Sequence, residues 1–481
     1  MSSAPRPLPA PSPAELRARA QRGAQGLATA AIPIVSGMVA IGLVLVFVVL
    51  DYVMGANVHR LVKLLIGLSA MVGLVANSTI GLFILPIANP MLGLLPKLPL
   101  PGLNTLNVVL LGIFVPFAIQ RTFRRQQVLR GGTLTLPLLL LLVLLALSVL
   151  RGAAFPTGYV YEAGDAGLSV FRCFMTFTVY FITYAIVTGE QARRRMTWAI
   201  VLGALVESLY AIMTGRSDHG RAGGSMRQAN ELGAYLAMFA SFAFAMSFGV
   251  NKWWQRVLAW GTFGLASVGV LFSVSRGGMV ALALATLWVT WRSARWVTLA
   301  IVLVLATSPA WLPDYAMERI HMTTSGPGDS EDESGGLDPG AESRVNTWHT
   351  ILHIVQDHAI EGIGFESLHY VLPQAGEELG LHVKDSSHNT FFRLLAEAGI
   401  FGLGAFLFLF YRVFRLAETG VRLARDRFDR QLSVGLSGAA LALFVSCWFG
   451  DRFFQIMITG NLWVACALVD DLVHERRSVP A

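Results

Sequence analysis

The sequence predicts an all-α, polytopic transmembrane helical bundle of about 12–14 spans, with one large polar loop that contains amphipathic helices. Three observations lead there. Of 481 residues, 54% are hydrophobic and 14% charged, far from the averages of soluble domains. Apolar runs long enough to cross a bilayer recur from end to end. Short basic clusters separate those runs, as in cytoplasmic loops held at an anionic leaflet. The formal charge of +7 is carried by these clusters, so no nucleic-acid partner is expected.

Residues 1–31 read as a cytoplasmic tail, rich in Pro and Ala and carrying Arg6, Arg17, Arg19 and Arg22. The run from Ile32 to Leu50 is too long for a signal peptide and lacks a small-residue cleavage site after it, so it is expected to stay as an anchor. The remaining organisation is a bundle over 32–313, a large loop over 314–387, the rest of the bundle over 388–472 and a second tail over 473–481.

Topology follows from the basic clusters, because Lys and Arg concentrate on the cytoplasmic side. They stand at Arg121 to Arg130, Arg193 to Arg195, Lys252 to Arg256, Arg292 to Arg295, Arg412 to Arg430, and Arg476 with Arg477. Two apolar spans fit between each consecutive pair. They are Leu134 to Leu150 and Leu168 to Thr188, Thr197 to Thr214 and Asn230 to Val250, and Val257 to Ser275 and Gly277 to Trp291. Trp296 to Leu312 and His388 to Tyr411 follow, then Leu432 to Phe449 and Phe453 to Leu472. Parity requires an even number before Arg121. Ile32 to Leu50, Leu61 to Ala76, Thr79 to Leu95 and Asn104 to Gln120 supply it, the middle two interrupted by Pro86, Pro90 and Pro96 or weakly apolar.

This arrangement places the 314–387 loop on the outer side, with Arg216, Arg221, Arg227, Arg276, Arg319, Arg344 and Arg452. The positive-inside tendency does not explain them, so an anionic ligand is expected to meet them. Arginine's planar fork suits phosphate through paired hydrogen bonds, whereas an acidic protein would be served equally by lysine. Within the loop, Thr323 to Gly340 is Gly, Pro, Ser and acidic residues including Asp329 and Glu333, and reads as a disordered spacer. Val345, Trp348, Ile351, Leu352 and Val355 recur at three and four, predicting an amphipathic helix over Glu342 to His358 across the mouth of the bundle. Gly362 and Gly364 end it, and a shorter helix is expected over Glu366 to Gly380.

His388 follows Ser386 and Ser387, either of which could cap the next helix. A histidine at a helix start favours the neutral imidazole and can accept a proton, and free amides there could meet a phosphate. Cys173, Cys447 and Cys466 all lie in spans, so neither a disulfide framework nor a cysteine zinc site is indicated. His349, His353 and Asp357 share a helical face, but Thr350 stands where a metalloprotease carries its Glu, and no metal is expected. Plainer roles stand beside the functional ones: snorkelling for Arg276, a surface charge for Arg344, a structural hydrogen bond for His388. Arg172 and Glu207 inside the spans could line a cavity or pair together, Asp451 and Arg452 could form a turn ion pair, and Glu397 reads as the partner of a buried arginine.

Ser275-Arg276-Gly277-Gly278, Glu342-Ser343-Arg344 with Trp348, Asp357-His358 before Gly362-Ile363-Gly364, and His388-Asn389 with Leu395 to Gly399 resemble the O-antigen ligase and polymerase superfamily. The resemblance runs from about Gly220 to Leu409, with Gly223, Gly224 and Asn230 fitting more loosely. It implies a metal-independent, cofactor-free glycosyltransferase of the bacterial inner membrane, working at the periplasmic face. The implied donor is an undecaprenyl-diphosphate-linked glycan, and the acceptor is lipid A-core in ligases, a lipid-linked repeat unit in polymerases, or a protein hydroxyl in relatives. Arg276 and Arg344 match the family's diphosphate-holding arginines and His388 its essential histidine, making these three the candidate catalytic residues. Arg221, Arg227, Asn230 and Asn389 are candidate substrate-binding residues. Met226 to Asn230 departs from the family's apolar-Pro-Asn run. A transporter of an anionic substrate is the rival class, disfavoured because internal repeats and charges through both leaflets are not evident.

Overall fold

A computed structural model of the chain describes residues 78–95, 104–123, 125–154, 161–215, 220–307, 339–381, 383 and 386–478. The N-terminal tail, the spans expected at Ile32 to Leu50 and Leu61 to Ala76, Arg216, Arg319 and the spacer from Thr323 to Asp338 lie outside the described residues.

Among the described residues there are fourteen α-helices and no strand. They are α1 (Ser78–Ala88), α2 (Thr105–Phe123), α3 (Thr135–Ala154), α4 (Ala163–Ile186), α5 (Glu190–Thr214), α6 (Ala229–Gly249) and α7 (Trp253–Ser273). Then follow α8 (Arg276–Ser293), α9 (Arg295–Ala306), α10 (Pro339–His358), α11 (Leu368–Glu378), α12 (Thr390–Leu423), α13 (Arg427–Ser446) and α14 (Ile456–Ser478). Eight of them, α2 to α7, α12 and α14, are long and apolar enough to cross a membrane. The expected span at Thr79 to Leu95 is divided: α1 gives way to a 3-10 turn at Pro90–Leu94.

Packing follows composition. On α3, Leu138, Leu141 and Leu145 are buried while Leu136, Leu139, Val143 and Leu147 stay exposed, as for a helix with one face on protein and one on lipid. On α6 every face is covered, from Leu232 and Tyr235 through Phe239, Phe242 and Met246, so its evenly apolar sequence marks a central helix. Helix α14 is buried in the same way through Leu462, Val464 and Leu468.

The two ends of the bundle differ. At the end where the basic clusters gather, Arg193 is fully buried and its guanidinium reaches Asp429 (3.2 Å), Asp471 (3.1 Å) and Glu475 (2.8 Å), clasping α5, α13 and α14. Nearby, Asp470 accepts hydrogen bonds from the Thr133 amide (2.6 Å) and the Tyr180 hydroxyl (2.5 Å).

At the opposite end α10 and α11 form a cap with its own apolar centre: Ile351, Ile354, Ile363, Leu368, Leu372 and Ala375, closed below by Ala396 of α12. The predicted amphipathic helix is present, but its buried stripe is turned from the expected one. Thr347, Thr350, Ile351 and Ile354 face inward, while Val345 and Leu352 are exposed.

Candidate functional site at the capped end of the bundle

The cap docks on a break in α12. At Gly399 the backbone turns to φ 65° and ψ −169°, a region open essentially to glycine alone. The break releases carbonyls that an unbroken helix would use internally, and the cap takes them. Ile363 N donates to Ala396 O (2.8 Å) and Gly364 N to Glu397 O (3.0 Å), while Ile400 N turns to Ala359 O (2.9 Å). Gly362 is required by the same contact, since a β-carbon there would stand 2.4 Å from Glu397 O. The glycines noted in the sequence are therefore the two halves of one joint.

The first turn of α12 is capped by Asn389, whose side-chain oxygen accepts from Phe391 N (2.9 Å) and Phe392 N (3.2 Å). Neither serine caps the helix, and His388 does not open it. His388 lies just outside, with φ 50°, a left-handed conformation. Thr390 N donates to Cys447 O at 2.9 Å. The amides expected to be free for a phosphate at this helix end are thus consumed by Asn389 and Cys447, because buried N–H groups must be paired somewhere. The Asn389 side-chain nitrogen is buried and has no hydrogen-bond partner among the described residues.

Arg276 occupies the first helical position of α8, exposed, behind the capping Ser275, whose hydroxyl oxygen accepts from Gly278 N (3.3 Å). Glycine at 277 and 278 lets α8 approach its neighbours. A β-carbon at Gly277 would lie 2.6 Å from Phe449, and one at Gly278 would lie 3.0 Å from the Gly233 backbone. Those two close approaches fix the helix start, and with it Arg276, against α6 and against the turn before α14 that also receives the amide of Thr390.

Arg344 is half-buried on α10, one turn before Trp348 and on the same face. The Trp348 indole N–H donates to Ser387 O at 3.2 Å. Helix α10 is in this way tied to the residue next to His388. Arg276, Arg344 and His388 therefore stand on three separate elements toward the capped end, α10 tied to residue 387 and α8 and α12 each packed on the turn at 447–449.

The upstream candidates divide. Arg221 donates to Ser273 O (3.0 Å) and to the Asn230 side-chain oxygen (2.8 Å), so these two predicted site residues bind each other and join the end of α7 to the start of α6. Arg227 is exposed, with φ 62°, at the end of the short 3-10 turn Gly224–Met226. Glu207 does not pair with Arg172, which is exposed; it accepts from Ser225 N (3.0 Å) and Ser225 Oγ (2.5 Å), holding that turn in place.

Asp451 and Arg452 do not pair with each other as a turn. Asp451 accepts from the Ser387 hydroxyl (3.1 Å), and Arg452 faces Glu231 (3.7 Å). Burial pushes the Arg452 guanidinium down from its ordinary range, with Glu231 and Asp451 opposing that shift. Tyr161, whose hydroxyl donates to Phe365 O (2.8 Å), is pushed up to about 12 by burial and by Glu397 and Glu366, so it stays a neutral donor.

One residue was not singled out by the sequence: Arg393. It is the buried arginine expected beside Glu397, at 3.0 Å, and it also meets Glu366 (2.8 Å) and Asp451 (3.7 Å). The i, i+4 spacing of Arg393 and Glu397 inside an apolar span was the available signal. Among the described residues no group of three or more His, Cys, Asp or Glu side chains could hold a metal ion.

Residues 261–407 match the family model described as O-antigen ligase. The match contains Arg276, Arg344, His388 and Asn389 and stops short of Arg221, Arg227 and Asn230. No curated protein matches the chain. Among solved structures, a chain from a peptidoglycan synthase complex that coordinates polymerization and crosslinking is similar at 15% identity, covering 72% of this chain and 98% of that one. Its TM-score of 0.38 is too low to bear on fold or function. The matched segment runs from α7 through α8, the cap and the break in α12, so the family match falls on the same stretch of chain that carries Arg276, Arg344 and His388, and this part of the chain is similar to O-antigen ligases.

Proposed function

We propose that this protein moves a glycan from a polyprenyl diphosphate to an acceptor hydroxyl at the outer, periplasmic face of the bacterial inner membrane. The reading favoured is that of a ligase acting on lipid A-core or another cell-surface acceptor. What supports it is the placement of two arginines and a histidine on α8, on α10 and just before α12, toward the end of the bundle away from the basic clusters. Positive-inside logic puts that end outside the cell.

In this reading the acceptor O–H attacks the anomeric carbon, the bond from that carbon to the diphosphate oxygen breaks, and the proton passes to His388. Charge grows on the departing diphosphate, where the forks of Arg276 and Arg344 stabilise it. A single displacement inverts the anomeric centre. No step calls for a metal or an organic cofactor. Arg221, bonded to Asn230 and to the Ser273 carbonyl, lies close in the chain fold to the start of α8, and Asn389 and Arg227 complete the residues assigned to the substrate.

Transfer from a lipid-linked donor by the purified protein tests the assignment. Arg276→Ala, Arg344→Ala and His388→Ala are each expected to lower kcat/KM by about 100-fold or more; full activity in any one removes that residue from the scheme. Glycolipids of a deletion strain separate the acceptors. Long glycan kept on the carrier beside bare lipid A-core indicates a ligase, single repeat units on the carrier indicate a polymerase, and loss of a glycoprotein alone indicates protein glycosylation.

A further inference from the structure

At the start of α12 lies a largely buried ionic hub that the proposed reaction does not use directly. The Arg393 guanidinium, on the first turn of α12, engages three carboxylates from three segments. Its Nη2 is 2.8 Å from Glu366 at the entry to α11, its Nε 3.0 Å from Glu397 one turn along α12, and its Nη1 3.7 Å from Asp451 before α14. The rings of Phe365 and Phe454 lie 5.4 and 5.5 Å from its central carbon. A planar, permanently charged fork can face three acids and two rings together; an ammonium on a flexible stem cannot.

Two arms of the hub end on strained backbone. Glu366 has φ 63° and His388 has φ 50°, conformations that persist only where surrounding contacts over-determine them. Glu366 is held by Arg393 itself. His388 is held at one remove: the carboxylate oxygen of Asp451 that faces Arg393 accepts from Ser387 Oγ, and that hydroxyl oxygen accepts in turn from Asn389 N at 3.3 Å. Residues on both sides of His388 are thereby fixed, and Ser387 O receives the Trp348 indole that brings α10 and Arg344.

We infer that Arg393 is a positioning residue that sets His388 and the capping helix α10 in their working places through Asp451 and Ser387. The inference deepens the proposed transfer reaction and rests on it. Arg393 touches no reacting atom in this scheme. Its effect is to hold His388 in register with Arg344, and small misplacements of a proton acceptor cost rate more than affinity.

A merely structural role, neutralising the buried Glu397, makes a different prediction. Arg393→Gln combined with Glu397→Gln removes guanidinium and carboxylate together, so it restores charge balance within α12 while leaving Asp451 and Glu366 without their arginine. The full-length double variant is expected to stay monodisperse, to lose about tenfold or more in kcat, and to keep donor KM within about twofold. Amides of residues 386–389 are expected to exchange faster with solvent than in the wild type. Arg393→Lys is expected to recover little of kcat. A double variant with wild-type kcat, or unchanged exchange at 386–389, overturns the proposal. The exchange measurement decides it even if the wild type fails to transfer from the donor tested, an outcome that would remove only the functional reading.

Discussion

Gly399→Ala is the sharpest single test of how the cap is attached. The native backbone at φ 65° and ψ −169° is one an alanine can hold only at a cost of about 1–3 kcal/mol. Its new methyl group would also stand 2.0 Å from Ile360 O, which is backbone and cannot swing aside. Relief requires the 359–364 segment to lift from α12. Three hydrogen bonds then go: Ile363 N to Ala396 O, Gly364 N to Glu397 O and Ile400 N to Ala359 O, each contributing about 1 kcal/mol net. A straightened helix regains up to about 1 kcal/mol from alanine's better helix propensity. With the strain relieved by lifting, the three lost bonds less the regained propensity leave a local destabilisation of about 2–3 kcal/mol, which lowers protection of the 363, 364 and 400 amides by a factor of about 30 to 150. Hydrogen exchange of the purified protein in detergent reads this directly, with faster proteolysis of the 359–368 segment beside it. Gly404→Ala is the control, because nothing stands within 4 Å of a β-carbon there; it should leave the cap unchanged. Wild-type protection at 363, 364 and 400 in Gly399→Ala would refute the joint.

Removing Arg193 by substitution with Met takes the shared cation from Asp429, Asp471 and Glu475 and leaves Asp429 only Arg476 and Asp471 only Arg130 as cationic partners; it is expected to destabilise by about 3 kcal/mol, seen as loss of folded protein in the membrane fraction. Asn389→Ala leaves Phe391 N and Phe392 N uncapped and should cost about 1 kcal/mol, read as a lowered thermal midpoint with the bundle intact. Tyr161 is raised to about 12 from an ordinary value of 10.0, so its contribution to stability is complete below pH 10 and is lost as pH rises toward 12. Tyr161→Phe should lose the Phe365 O bond at neutral pH and show less added loss over that alkaline window in a thermal-denaturation series.

Much of this architecture was legible because membrane spans announce themselves by length and composition. Most spans expected within the described residues overlap a helix, the divided one at Thr79 to Leu95 apart, and the joint was visible as Gly362, Gly364 and Gly399, though not as a joint. Three things escaped because they depend on tertiary geometry. The face that α10 buries is set by the cap's own apolar centre, so Val345 and Leu352 fitted the periodicity yet lie exposed. Asn389 won the cap over Ser386 and Ser387 because the chain turns left-handed at His388, which a sequence does not reveal. Arg172 and Glu207, both charged and intramembrane, could be given no role from the sequence beyond lining a cavity or pairing, whereas Glu207 is satisfied by Ser225 from a loop that returns to α5.

The consumed amides at the start of α12 alter what the site can use to hold an anion. A helix N-terminus offers a phosphate its unpaired N–H groups and the positive end of its dipole. Here Thr390 N is given to Cys447 O, and Phe391 N and Phe392 N to Asn389, which leaves the dipole but takes away the hydrogen bonds. In the proposed reaction, recognition of a diphosphate then falls to guanidinium groups, and geometry matters as well as charge, because only a planar fork makes two parallel bonds to one phosphate. Arg276→Lys and Arg344→Lys preserve charge and lose the fork, so each is expected to raise donor KM and lower kcat by about tenfold or more with lipid-linked substrate. Lysine variants that retain both constants would mean that charge alone holds the leaving group, and the argument from the arginine fork would fail.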